Sequence, residues 1–145
     1  MEDRHLCKAR PIGTRKQWVT GFYAVLGEKT VIIVNEPEKF YDVDSGKNSH
    51  GNKIVEVIPK TVCWCTGLKD KNGKLIWEND VCDRKEQYPE IVKYCNGDWT
   101  LDYSYASHKE SGVCYCNLGF YAEERKCVEV IGNIFDNPEL LEVQE

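Results

Sequence analysis

The sequence predicts a mainly β protein whose second half forms a small barrel. Three observations carry that expectation. Long amphipathic helical patterns are missing. Short β-rich runs recur between turn residues. The runs from 75 to 134 have the spacing of a small closed sheet, in which closure removes vulnerable edges.

The first expected strand is Gln17 to Leu26, with Gly21 read as a bulge. Gly27-Glu28-Lys29 turns it into Thr30–Asn35, a hairpin. Phe40–Asp44 reads as a short aromatic strand, and Ser45–Lys53 as a polar, glycine-rich loop. Ile54–Ile58, Pro59 and Thr61–Cys65 follow. Asn72-Gly73 marks a tight turn before Leu75–Trp77, and Val81–Asp83 opens another strand. Glu90–Cys95 and Asp98–Tyr105, joined by Asn96-Gly97, give the strongest hairpin signal. Val113–Tyr121 reads as a strand or as a stretch holding a helical turn, and Cys127–Ile134 as the last strand. In the closing segment Asn137 suits an N-cap, Pro138 the first helical position and Glu139 the positive helix end.

A chain of 145 residues suits one domain with a core of its own. Its 19 Lys and Arg stand against 24 Asp and Glu, a net charge of −5. Residues 1–127 sum to zero, and Glu129, Asp136, Glu139, Glu142 and Glu145 supply the whole excess. A generally basic nucleic-acid binder is therefore a poor fit. The first sixteen residues are charged throughout, without the apolar stretch of a signal peptide. The aliphatic run Val31–Val34 is far too short to span a bilayer. A cytoplasmic protein without membrane contact is expected. In that compartment the 8 cysteines read as reduced thiols. Cys63, Cys65, Cys114 and Cys116 form two C-x-C pairs, which side by side could aim four sulfurs at a zinc ion. Zinc knuckles leave two to four residues between ligands, so small buried hydrophobes are preferred.

Other motifs fail on spacing. Gly67 to Lys74 has five residues between its glycines where a phosphate loop has four, and Leu75 replaces the required hydroxyl residue. Asp42 to Gly46 places its glycine too early for a calcium loop, and Lys53 stands where a glutamate is needed. His5, His50 and His108 are scattered, and Ser107-His108 lacks a nucleophile-elbow context. Glu78, Asp80 and Asp83 read as strand-end residues accepting turn N–H groups. No catalytic, cofactor or metal residue is expected. Two local patches are basic, residues 1–16 and residues 60–74, each at net +3. Lys60, Lys69, Lys71, Lys74 and Trp77 form the candidate binding surface, since lysines beside aromatics can track a nucleic-acid backbone and stack bases.

Thr66 to Val81 (TGLKDKNGKLIWENDV) and Val130 to Leu141 (VIGNIFDNPELL) together resemble the YopX family, proteins carried by phages and prophages, chiefly of Gram-positive bacteria. Lys8-Ala-Arg10, Trp18-Val-Thr-Gly-Phe-Tyr23 and Ile58-Pro-Lys-Thr-Val62 fit the same pattern, so the likeness spans the chain. Glu78-Asn79-Asp80 stands where the family commonly has Glu-Gly-Asp, a change that Asn tolerates in a left-handed backbone. The resemblance implies an SH3-like barrel over about residues 61–134, an N-terminal β-hairpin region and a short C-terminal helical turn. It implies a single domain over 1–145, with 1–60 the N-terminal β region and 61–145 the barrel region. It implies no activity. The expected function is that of a non-enzymatic accessory protein of the bacterial cytoplasm, binding a macromolecule, with protein preferred as the partner. Exposed aromatics near the 66–80 turn would form the surface. Nucleic-acid binding through the 60–74 lysines is the alternative, and homo-oligomers are compatible with free strand edges.

Overall fold

The structure, a computed structural model, describes residues 2–13, 17–35, 41–42, 47–48, 52–106 and 116–142. They are mainly β and divide into two compact units, His5–Trp64, and Met1–Arg4 with Cys65–Glu145.

The His5–Trp64 unit holds β1 (Cys7–Ala9), β2 (Val19–Leu26), β3 (Lys29–Asn35), β4 (Tyr41–Asp42), β5 (Lys47–Asn48) and β6 (Asn52–Glu56), with the opening of β7 (Cys63–Lys69). β6, β3, β2, β1 and β7 pair antiparallel in that order, and β4 pairs with β5. Cys7, Ala9, Ile32 and Val57 form the core, packed by Val19, Val34, Val55 and Val62. β-branched residues dominate because they fill a pleated surface without losing much rotamer freedom. The register runs unbroken from Cys7 opposite Gly21 to Phe22 opposite Ile33, so Gly21 is not a bulge. It is required for close approach: a Cβ there would lie 2.2 Å from the Ile33 carbonyl oxygen. Of the expected Ser45–Lys53 loop, residues 45–46 and 49–51 lie outside the described residues. Lys47–Asn48 and Asn52–Lys53 are strand.

The second unit holds the rest of β7, then β8 (Leu75–Trp77), β9 (Asp80–Asp83), β10 (Glu90–Cys95), β11 (Asp98–Asp102), β12 (Cys116–Asn117) and β13 (Glu129–Asn133). Its main sheet has the order β12-β11-β10-β9-β13, while β7 pairs with β8. The Asn96-Gly97 turn has φ of 52° and 84°, both positive as a primed hairpin turn requires, and keeps β10 and β11 in unbroken register. Ile76, Cys82, Val92, Leu101, Leu118, Ala122 and Val128 make the core. Full burial of an Ile, Leu or Val side chain contributes about 1.5–3 kcal/mol relative to exposure.

A closed barrel over 61–134 is not what the described residues form. β12 and β13 end the strand order and do not pair with each other. β12 is two residues long, and the outer edge of β13 is satisfied by side chains instead of a strand. In Val113–Tyr121 the described part is β12 followed by a helical turn at Phe120–Glu124, closed by the Arg125 N–H on the Phe120 carbonyl at 3.0 Å. Residues 113–115 lie outside the described set. Pro138–Leu141 forms the expected terminal turn, but Asn137 does not cap it. Its Oδ1 accepts the Asn133 N–H instead, at 3.2 Å. Among the described residues no helix is long and apolar enough to cross a membrane.

Candidate functional site

The lysine turn follows β7. Asp70 organises it, being almost fully buried where a turn residue is usually wet. Its Oδ1 accepts the N–H groups of Asn72 and Lys74, each at 2.9 Å, and its Oδ2 accepts that of Val130 at 3.0 Å. Burial alone would push this carboxyl up. The backbone donors of Val130, Lys74 and Asn72 outweigh it and hold the pKa below the usual aspartate value. The Lys71 N–H adds a bond to the Val128 carbonyl at 2.9 Å. One carboxylate thus shapes the turn and covers an edge of β13.

Lys69, Lys71 and Lys74 are exposed around this turn. Lys71 Nζ lies 3.2 Å from Glu129, within the acidic tail segment. Trp77 is half-buried on β8, and its N–H donates to the Asp80 carboxylate at 2.8 Å. Lys60 stands apart, exposed in the Pro59–Thr61 turn of the other unit. The five predicted residues are thus split between two units. The charge is split as well: residues 5–64 hold nine basic and six acidic side chains, net +3, while the other unit holds ten and eighteen, net −8.

The residues that carry the sequence likeness are engaged in fastening the backbone. Thr66 Oγ1 donates to the Ile76 carbonyl at 2.7 Å and accepts the Leu68 N–H at 3.0 Å. Asn79 takes φ of 68°, the left-handed conformation expected of the Glu-Asn-Asp segment. Asp80 and Asp83 accept turn N–H groups, from Trp77 and Lys85, each at 2.8 Å. Asn133 Oδ1 accepts the N–H groups of Phe135 and Asp136 at 2.9 and 2.8 Å. Gly132 leaves room for this terminal knot, since a Cβ there would lie 2.5 Å from Asn137 Oδ1.

A denser polar cluster escaped the sequence reading. Arg84, just after β9, directs Nε at Glu90 Oε1 at 2.5 Å, with a longer Nη2 contact to Oε2 at 3.5 Å. Nη2 also donates to Cys116 Sγ at 3.0 Å, and Nη1 to Glu86 at 3.1 Å. The guanidinium stacks on the Tyr121 ring, 4.2 Å from its centroid. The Arg84 side chain is 9% exposed and that of Glu90 1%. Burial raises the Glu90 carboxyl above its ordinary value, and Arg84 pulls it back. The Tyr105 hydroxyl, raised by burial and by Glu90, donates to the Pro89 carbonyl at 2.8 Å. The cluster is a stacked Arg84–Glu90 ion pair, with Glu86 on its exposed side, linking the end of β9 to β10, β12 and the helical turn. Glu90 could have been flagged from the strand period, because it shares a face with the core residue Val92.

Cys63, Cys65 and Cys82 are buried, and burial raises the thiols of Cys65 and Cys82, which keeps them protonated and apolar. β7 and β12 belong to different ladders, so their cysteines are not strand neighbours, and Cys114 lies outside the described residues. Among the described residues no His, Cys, Asp and Glu cluster has metal-holding geometry. His5 stacks on Phe22 at 5.3 Å, while His50 and His108 lie outside the described set.

Exposed large apolar side chains occur in both units, with Tyr94, Phe120 and Ile131 in the one that holds the 66–80 turn. Phe22, Tyr23, Val25, Leu26, Ile54 and Trp64 gather in the His5–Trp64 unit, each 41–56% exposed. Trp64 is therefore no core residue: it packs against Tyr23 at 5.7 Å. Together, the fold and these residues define a small antiparallel all-β protein whose motif side chains hold its own turns and edges. The sequence profile of the family described as YopX protein matches residues 25–142. The chain belongs to the YopX family. No curated protein matches it.

Proposed function

We propose that the chain is a phage- or prophage-derived accessory protein of the bacterial cytoplasm, a non-enzymatic module that binds another macromolecule. An SH3-like arrangement of the 61–134 sheet is part of that reading. The observation that carries it is the set of exposed side chains Phe22, Leu26 and Ile54, which the register puts on one face of the β2-β3-β6 sheet, with Tyr23, Val25 and Trp64 exposed on the other. Apolar side chains gathered in this way mark interaction surfaces more often than solvent-facing packing. The motif residues support it from the other side, since Asp70, Thr66, Asp80 and Asn133 are committed to backbone N–H and C=O groups. The test is affinity capture of the tagged chain from phage-carrying cells, beside a Phe22→Ser/Ile54→Ser variant. A protein or nucleic acid retained by the first and lost by the second supports the reading. Nothing retained, or equal retention by both, counts against it.

Nucleic-acid binding at Lys69, Lys71 and Lys74 has less support, because Lys71 faces Glu129 and the surrounding unit carries a net −8. Replacing the three by glutamine is expected to change low-salt affinity for nucleic acid by less than about threefold, measured by fluorescence polarisation. A larger loss returns the interface to this turn.

A further inference from the structure

We draw no further inference here: the strongest candidate, the exposed apolar patch of Phe22, Leu26 and Ile54 on one face of the β2-β3-β6 sheet, carries none, because nothing in the structure shows what would cover it and Val31 on that same face is already buried.

Discussion

Replacing Arg84 with methionine is expected to lower the unfolding free energy by about 3–5 kcal/mol, read as a fall in the urea midpoint at unchanged slope. The loss comes less from the contact itself than from what is left behind. Glu90 is 1% exposed, and without the guanidinium its charge has lost its counter-ion inside the sheet. The same change removes the donor to Cys116 and the cation stacked on Tyr121. A double variant, Arg84→Met with Glu90→Leu, should recover most of the loss, because buried ion pairs often give way to apolar pairs of similar volume at little cost. The single variant should also be pH-dependent. With Arg84 gone, burial acts on Glu90 unopposed and raises its folded pKa further above the unfolded value. The penalty is then fully present at neutral pH and is relieved as pH falls through that folded pKa. The gap between parent and single variant should therefore be smaller at about pH 5 than at about pH 7.5. A gap that ignores pH, or a double variant no better than the single one, would show that Glu90 holds no buried charge.

What the sequence made legible was local. Asn96-Gly97 and Asn79 place their positive φ values where turn chemistry puts them, because the preference resides in the residues themselves. Strand cores such as Thr30–Asn35 and Glu90–Cys95 follow from composition and period. What stayed hidden depends on partners distant in sequence. Asp70 reads as one more turn aspartate until its carboxylate meets the Val130 N–H, sixty residues on. Asn137 has the right type and place for an N-cap, yet the Asn133 N–H competes for its Oδ1 and wins. Trp64 looks like core by hydropathy, and the register sets it opposite the core residue Cys7, yet its side chain stays 41% exposed beside Tyr23. Barrel closure failed for a related reason: spacing reports strand lengths, not whether the last edge meets a strand or a carboxylate.

The candidate site divides in the same way. Of the predicted surface, Lys60 alone lies in the basic unit, while the 69–77 residues surround the Asp70 clamp in an acidic one. The Trp18-Val-Thr-Gly-Phe-Tyr23 element, which served only to mark a resemblance, contains both kinds of residue. Gly21 is fixed by its approach to the Ile33 carbonyl, whereas Phe22 and Tyr23 are exposed. A motif that mixes the two cannot be sorted by residue type, because sorting needs the register. The family motifs are therefore read mainly through residues that fasten this backbone, and the proposed interface is sought among side chains the fold leaves outside.

The Asp70 clamp offers the second large effect, and one with a pH signature of its own. Asp70→Asn keeps the size of the side chain but replaces one acceptor oxygen with a donor and removes the charge. In the parent the two oxygens of Asp70 serve three backbone N–H groups, so in the variant at least one of these, on Val130 or in the turn, loses its acceptor. Hydrogen bonds to a charged acceptor contribute about 1.5–3 kcal/mol each, and a part-buried orphan adds its desolvation. A loss of about 2–4 kcal/mol at neutral pH is expected, with the outer edge of β13 opening first in hydrogen exchange. The folded pKa of Asp70 lies below its unfolded value, so the ionised form is the one that stabilises the fold. That stability is fully present above the unfolded pKa, near 3.8, and is lost as pH falls through the folded one. Parent and Asp70→Asn variant should therefore converge in stability at the acidic end of a denaturation series, the parent falling toward a variant with no such titration. If the two curves stay parallel down to about pH 2, the carboxylate is not what holds β13 to the turn.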